Sequence, residues 1–253
     1  MARHRQKRSG GADRPGSGGA AVIYGWHSAL AALSNPHRSV RRILATRNAL
    51  SRLAEHGVAD LPEPVEAREI ERAAGEGAVH QGIAVLADPL PEPDLSDLAG
   101  ARLVVVLDQV TDPHNVGAII RTAAAFGAAA VVLTERHGPA ESGVLAKAAS
   151  GGLEHVALVR VKNLARALDA LADLGFQRLG LDSAHAEPLV PAPPAEKTAI
   201  VLGAEGRGLR RLTREKCDRL VRLDVTGPIS SLNVSNAAAL ALYVLTRRPA
   251  GPA

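Results

Sequence analysis

Cysteine and aromatic residues are scarce in this sequence, and each shortage excludes a class of site. Cys217 is the only cysteine, which excludes an internal disulfide and a cysteine-built zinc site and fits a reducing, cytoplasmic setting. Aromatic residues make up 2% of the chain, which argues against a platform that stacks several bases in a row. The nine histidines are scattered without metal-ligand spacing, so we expect no metal.

Long apolar runs and secretion signals are also lacking. The longest apolar helix that the sequence predicts, residues 237–245, is far shorter than the roughly 20 residues that cross a bilayer. No apolar stretch follows the basic N-terminus, which therefore does not have the pattern of a secretory signal. We expect a cytoplasmic protein with no membrane partner.

The basic charge of the chain is concentrated at its N-terminus. Residues 1–20 hold five basic side chains against Asp13 and so account for the whole formal net charge of +4. Their Gly, Ser, Arg and Pro content predicts a disordered tail. Such a tail is either an arm that binds phosphates with salt-sensitive affinity or a solvated terminus, and both interpretations stay open.

A proline-rich stretch divides the rest of the sequence into two units. Residues 21–87 predict a small α/β unit, and residues 88–100 predict a linker because prolines cluster at its start. Residues 101–253 predict the larger domain. In the small unit, helices are predicted at residues 26–33, 48–56 and 65–74, and strands at 40–45 and 80–86.

The larger domain alternates apolar strands with helices. This alternation predicts an α/β fold with a parallel sheet that is covered on both faces. The predicted strands lie at residues 102–107, 129–133, 156–161, 178–181, 198–202 and 221–225. The predicted helices lie at residues 116–126, 143–149, 164–174, 209–220 and 235–246, and the fourth contains Cys217 as an inert residue.

The first of three unusual tracts, residues 108–127, leaves a predicted strand, turns at Asp112 and enters a helix. Asn115 lies near the predicted N-cap, where its side chain can accept a backbone N–H. Gly117 allows close approach of another chain or a ligand. Arg121 lies on the polar face of the helix, where it can face an anion or a phosphate.

The other two tracts also begin where predicted strands end. Residues 202–209 contain three glycines around Glu205, which lets the backbone approach a ligand closely. Residues 223–237 lead from a Gly-Pro loop through Ser and Asn into a helix, which gathers N–H donors and hydroxyls. Ligands bind at the carboxyl ends of parallel strands, so we predict that the three tracts form one site. A generic nucleotide-binding protein is disfavoured, because both phosphate-loop patterns are missing.

In this order, the tracts resemble the three motifs of the SpoU family of RNA ribose methyltransferases, in its TrmH/RlmB branch. The front unit is similar to the small RNA-binding domain of that family through residues 24–27 and 80–83. The resemblance covers essentially residues 21–247. In the larger domain, the matching segments are residues 112–117, 121–123, 126–127, 202–209, Gly227 and residues 231–235.

The resemblance implies a fold, a methyl donor and an assembly. The catalytic domain is expected to be a SPOUT-class parallel α/β sheet with a C-terminal trefoil knot, a rare exception to the usual topology rules. S-adenosylmethionine is expected to bind in the knot of a homodimer whose active site lies at the subunit interface. Donor contacts are implied at Gly203, Leu223 and Leu232, with the loop around Leu181 and Asp182 as a weaker candidate. The implied catalytic group comprises Asn115, Arg121, Glu205, Ser231 and Asn233.

Two residues qualify this expectation. The family's proposed base matches Arg121, but an arginine guanidinium does not lose its proton in proteins. We hypothesise that Arg121 instead binds the RNA phosphate and stabilises the developing alkoxide. Asp224 stands where the family usually has proline, which adds a charge and an N–H to the donor loop.

The resemblance implies methylation of a ribose 2′-hydroxyl in RNA, with a guanosine of 23S rRNA as the expected target. One alternative is a tRNA 2′-O-methyltransferase of the same family. Another alternative is a catalytically silent RNA-binding or ribosome-assembly factor that keeps the fold. The intact set of five polar residues argues against the silent protein.

Overall fold

The computed structural model describes residues 20–183, 187–189, 196–228 and 231–247 of the chain. The predicted basic tail, residues 1–20, lies outside these ranges except for Ala20. The described residues form two sheets, one in each of the units that the sequence predicts.

The small unit is a three-stranded antiparallel sheet with three helices, and β3 lies between β1 and β2. The strands are β1 (Ala21–Tyr24), β2 (Val40–Ala45) and β3 (Ile83–Ala87). The helices are α1 (Trp26–Ser34), α2 (Arg47–Glu55) and α3 (Ala67–Ala74). The last strand begins at Ile83 rather than at the predicted residue 80, because Gln81 and Gly82 turn the chain with φ angles of 56° and 81°.

The larger unit is a seven-stranded sheet in the order β6-β5-β4-β9-β7-β10-β8, and every pair is parallel. The predicted α/β fold with a parallel sheet is therefore confirmed. The strands are β4 (Leu103–Asp108), β5 (Ala130–Thr134), β6 (Ala157–Val161), β7 (Gln177–Leu181), β8 (Glu187–Pro188), β9 (Thr198–Gly203) and β10 (Arg219–Arg222). The α-helices are α4 (Pro113–Ala125), α5 (Gly143–Ala149), α6 (Leu164–Asp173), α7 (Arg211–Glu215) and α8 (Val234–Thr246).

Helices cover both faces of this sheet, as the unbroken apolar strands require. Alternate residues of β4 belong to different cores because strand side chains alternate between faces. Val105 and Leu107 belong to a core that includes residues of α4, α5 and α8. Val104 and Val106 belong to a second core, which includes the apolar residues of α6.

The two units share a core. Ile23 and Trp26 of the small unit belong to the same buried cluster as Val105 of the central strand. Within the predicted linker, residues Leu95–Gly100 form a short 3₁₀ helix, and its Leu98 is buried in the second core. The junction is therefore a packed interface between two secondary-structure layers.

Two element predictions in the C-terminal third are wrong in their bounds, and one short strand was not predicted. The helix predicted at residues 209–220 ends at Glu215, and the strand predicted at 221–225 spans Arg219–Arg222. Leu209, Leu212 and Leu220 mimic helical spacing, but Leu220 pairs with β7 in the sheet. The two-residue strand β8 was not predicted, because two residues are too few to show a period.

Cys217 lies after α7 rather than inside a helix, and we predict that its thiol is unreactive in the folded protein. Burial raises the pKa of Cys217 to about 12, and only the thiolate is a nucleophile. A disulfide reagent at pH 8 should react at least about tenfold more slowly with the native protein than with protein unfolded in urea. Equal rates in the two states would contradict this account of the burial.

Candidate active site

One residue from each of the three tracts meets in a single hydrogen-bonded cluster. The Glu205 Oε1 atom accepts bonds from Asn115 Nδ2 at 2.9 Å and from Asn233 Nδ2 at 2.6 Å. Asn233 Nδ2 also donates to Asn115 Oδ1 at 3.0 Å. The spatial convergence that the sequence predicts for these tracts is therefore present in one folded chain.

The helix ends explain why these side chains meet. Helix α8 starts after Asn233, whose Oδ1 caps the helix by accepting from Ser235 N at 2.8 Å. Helix α4 starts at Pro113 and is capped by Asp112, which accepts from His114 N at 3.1 Å. The prediction that Asn115 acts near the N-cap is wrong, because the helix begins three residues earlier than expected and leaves Asn115 free to reach Glu205.

We predict that Glu205→Ala destabilises the fold modestly. The substitution removes the acceptor for Asn115, Asn233 and the Val234 N–H, which lies 3.5 Å from Glu205 Oε1. Because Glu205 is exposed, we expect a loss of about 1 kcal/mol, or a Tm lower by about 2–4 °C. Glu215→Ala is the matched control, since Glu215 pairs only with Arg211 on the surface of α7. Equal shifts for both variants in a thermal melt would contradict the role of the cluster.

A pocket of about 280 Å³ lies beside the cluster, near the lower end of the roughly 300–1,000 Å³ typical of small-molecule sites. Its wall is built at the carboxyl ends of β7, β9 and β10, as expected for a parallel sheet. Leu223 comes directly after β10, and Leu232 comes directly before Asn233 of the cluster. The residues predicted to contact the donor all line the pocket: Gly203, Leu223 and Leu232, together with Leu181 and Asp182. Glu205 and Ser231 line it as well.

Gly203 is a glycine because the chain folds back against it. A Cβ atom at Gly203 would lie 2.1 Å from the carbonyl carbon of Gly208. The loop between them is closed by a bond from Gly208 N to Ala204 O at 2.8 Å. The close approach predicted for these glycines is therefore made by the chain's own loop. Gly117 likewise packs on α5, where its Cβ would lie 2.4 Å from the Ala148 Cβ.

Two ion pairs of the site were missed by the sequence analysis. Asp108 is completely buried at the end of β4, and it accepts from Arg210 N at 2.9 Å and from Arg210 Nε at 2.7 Å. Asp182 at the end of β7 pairs with Arg214 Nε at 2.7 Å, and both residues line the pocket. The sequence does indicate the two carboxylates, since each lies at the carboxyl end of a buried strand. Their arginine partners were not predictable from spacing.

Arg121 lies apart from the pocket of its own chain. It is exposed on α4, about 9 Å along the helix axis from Asn115 for six residues of helix. It is not among the residues that line the described pocket. The structure therefore brings together four of the five predicted catalytic residues, while Arg121 is exposed and lies outside both the cluster and the pocket lining.

An apolar stripe of two exposed side chains, Leu240 and Tyr243, lies on α8. Leu240 is 46% exposed and Tyr243 is 50% exposed, one helical turn apart. The Tyr243 ring makes an edge contact with Phe126, at the end of α4, with 6.4 Å between ring centroids.

The described part of the chain contains neither a metal-binding cluster nor a membrane-spanning helix. Within residues 20–183, 187–189, 196–228 and 231–247, no cluster of three His, Cys, Asp or Glu side chains could hold a metal ion. No helix in those ranges is long and apolar enough to span a bilayer.

Comparison with known proteins gives consistent matches. The sequence model of the SpoU rRNA Methylase family matches residues 102–243. The chain is 38% identical to a 23S rRNA (guanosine-2′-O-)-methyltransferase RlmB of Vibrio cholerae, over 90% of this chain and 96% of that protein. It is 36% identical to an uncharacterized tRNA/rRNA methyltransferase of Synechocystis, of which the match spans only 62%.

Among solved structures, a putative RNA methyltransferase of the TrmH family from Porphyromonas gingivalis is 27% identical, with a TM-score of 0.72. That match covers 91% of this chain and 90% of the other. The SpoU methyltransferase AviRb from Streptomyces viridochromogenes, in complex with AdoMet, has the same fold with a TM-score of 0.72 at 24% identity.

Proposed function

Because this chain belongs to the SpoU rRNA Methylase family, we propose that it transfers a methyl group from S-adenosylmethionine to a ribose 2′-hydroxyl of RNA. The observation that supports this most is the cluster of Asn115, Glu205 and Asn233 beside the pocket. It joins the three motifs of the family at the place where a methyl donor and a sugar would have to meet.

The pocket has the chemistry that this donor requires. Leu181, Leu223 and Leu232 provide apolar walls that suit an adenine ring. The Asp182–Arg214 pair offers a carboxylate and a guanidinium that suit the amino and carboxylate groups of the methionine part. When bound, S-adenosylmethionine supplies a methyl group already activated by a positively charged sulfur, so neither a metal nor another cofactor is part of the proposal.

In this proposal, Asn233 positions the start of α8 and Ser231 contacts the substrate. Both N–H groups of the Asn233 amide are used by Glu205 and Asn115, and its oxygen accepts from Ser235. Asn233 is thus committed to fixing the start of α8 and is a positioning residue. Ser231, exposed on the pocket wall, is the hydroxyl that can bind the ribose.

Arg121 supplies the positive charge in this proposal. Its guanidinium binds the phosphate beside the target nucleotide and stabilises the negative charge that develops on the 2′-oxygen. The electrophile is already activated, so the rate depends mainly on holding the hydroxyl in line with the methyl group, and the hydroxyl proton passes to water.

A second copy of the chain is part of the same proposal. The exposed stripe of Leu240 and Tyr243 gives an apolar contact surface, and Arg121 lies on the neighbouring helix. In a homodimer through this surface, Arg121 of one protomer would complete the active site of its partner beside Ser231. This arrangement accounts for an exposed arginine that does not line the pocket of its own chain.

We further propose that the C-terminal segment is threaded as a trefoil knot. The sheet order supports this, since β9 lies between the earlier strands β4 and β7, and β10 lies between β7 and β8. The segment after β10 then passes the pocket wall before α8 packs on α4, with Ala238 and Ile119 in one core.

The proposed substrate is a guanosine of 23S rRNA, in the cytoplasm, with a tRNA ribose as the alternative. The name of the Vibrio cholerae relative, which matches nearly the full length of both chains, favours the rRNA. Residues 21–87 are proposed to bind the RNA, and residues 1–20 add five basic side chains that suit its phosphates. A silent assembly factor is disfavoured because the cluster beside the pocket is complete.

The experiment is methyl transfer from labelled donor to separated rRNA and tRNA pools. Blocked alkaline cleavage then maps the modified site, because a 2′-O-methyl group stops hydrolysis at its own phosphodiester. We expect label at one position of 23S rRNA. Label in tRNA alone would select the alternative substrate. Donor binding by calorimetry without transfer to either pool would support the silent protein.

A further inference from the structure

Arg38 is a buried arginine at the junction of the two units, just beyond α1. Its side chain has no exposed surface, and its guanidinium grips both oxygens of Glu154, with Nη2–Oε1 at 2.6 Å and Nε–Oε2 at 3.2 Å. Its Nη1 donates to Glu141 Oε1 at 3.0 Å and to the Asp88 carbonyl at 2.9 Å. Burial lowers the pKa of Arg38, but the bonds and charges of Glu154 and Glu141 outweigh it and raise the pKa.

The partner of this fork belongs to the segment that supports Arg121. Glu154 ends a 3₁₀ helix, Gly152–Glu154. A Cβ at Gly152 would lie 3.1 Å from the Arg121 Cα, and a Cβ at Gly151 would lie 2.8 Å from the Ala31 Cβ in α1. The segment is therefore packed between α1 of the small unit and the turn of α4 that holds Arg121.

Helix α5 likewise lies between the small unit and α4. On one side, Ser28 Oγ of α1 donates to the Ala146 carbonyl at 2.8 Å in a buried bond. On the other side, a Cβ at Gly117 of α4 would lie 2.4 Å from the Ala148 Cβ. The small unit and α4 thus contact opposite sides of one layer, which is formed by α5 and the segment that ends at Glu154.

We infer that Arg38 is a positioning residue that fixes the small RNA-binding unit relative to the helix holding Asn115 and Arg121. A bidentate guanidinium–carboxylate pair sets direction as well as distance. Burial gives the pair few alternative geometries, since losing one partner leaves a charge without compensation. RNA held on the small unit is then presented to Arg121 at a fixed offset, and this inference rests on the proposed function.

The test is steady-state methylation by Arg38→Met, which keeps an unbranched apolar stem and loses the guanidinium fork. Assays run at 20 °C, below any lowered Tm, with folding checked by circular dichroism. We expect kcat to fall by about 10–100-fold, because displacements near 1 Å cost up to about 10²-fold. KM for RNA and the Kd for donor should stay within about threefold, and amide exchange at residues 150–156 should rise. An unchanged kcat with only a lower Tm would overturn the inference.

Arg219→Met is the matched control. Arg219 forms a similar fork with Glu187, with both bonds at 2.7 Å, but this fork is exposed and lies between β10 and the edge strand β8. The kcat of Arg219→Met should therefore stay within twofold of wild type. If Arg38→Met does not fold, Asn35→Ala is the second variant, because it removes the 2.7 Å bond to Glu154 Oε2 and, besides that, only the local turn bond that Asn35 Oδ1 accepts from His37 N at 2.9 Å. Its kcat should fall about threefold with unchanged KM, and an unaltered kcat there also overturns the inference. A wild-type protein that methylates no RNA would instead reject the proposed function.

Discussion

Replacing Arg121 with lysine is expected to lower kcat for methyl transfer at saturating RNA by about 100-fold or more. Lysine keeps the charge but loses the planar fork that binds a phosphate and a developing oxyanion together. Removing one donor from such a site costs about 10²–10³-fold in kcat. In the proposal Arg121 contacts the RNA phosphate and the 2′-oxygen rather than the donor, so the Kd for donor measured by calorimetry without RNA should not change.

The matched control for that variant is Arg211→Lys. Arg211 is an arginine of α7 whose side chain is 83% exposed, and we expect its kcat to stay within twofold of wild type. Near-full activity of Arg121→Lys would remove Arg121 from the mechanism. A large rise in the donor Kd would instead place Arg121 in the donor pocket.

Substituting Gly203 with alanine is expected to weaken donor binding by about 10–100-fold. The new Cβ would lie 2.1 Å from one backbone atom of Gly208 and 2.4 Å from Leu209 N. Backbone atoms cannot turn aside as the tip of a flexible side chain does, so the loop from Ala204 to Gly208 must shift. Overpacking of this kind costs about 1–3 kcal/mol, and the shift also moves Glu205 out of the cluster.

Gly227→Ala provides the comparison for Gly203→Ala, because a Cβ at Gly227 would meet no heavy atom within 4 Å. Calorimetric titration with donor should give a wild-type Kd for Gly227→Ala. Circular dichroism separates a folded Gly203→Ala protein with a damaged pocket from an unfolded one. Wild-type donor affinity in Gly203→Ala would show that the pocket lies elsewhere.

The sequence predicted the architecture of the larger unit because its strands are buried on both faces. The run at β4 is apolar from Leu103 to Leu107, and glycines or prolines mark most element ends. The three tracts were placed at strand ends, and in a parallel sheet those ends lie on one edge. This is why Asn115, Glu205 and Asn233 were expected near each other, although 118 residues separate the first from the last.

Contacts between distant residues were not predictable in the same way. Nothing in the spacing of Arg38 and Glu154 indicates that they meet, since the fold alone brings them together over 116 residues. The stretch around Leu220 was assigned to a helix because three leucines at near-helical spacing outweighed a four-residue strand. The exposure of Arg121 was predictable, because a cation among apolar neighbours lies on the polar face of its helix.

The central claim is that three distant segments form one pocket for the methyl donor next to a sugar hydroxyl. A crystal structure with S-adenosylhomocysteine tests it most directly. The account predicts the ligand against Gly203, Leu223 and Leu232, with Arg121 of one protomer near Ser231 of the other. Ligand density away from these residues, or an assembly that holds Arg121 far from every copy of Ser231, would contradict it.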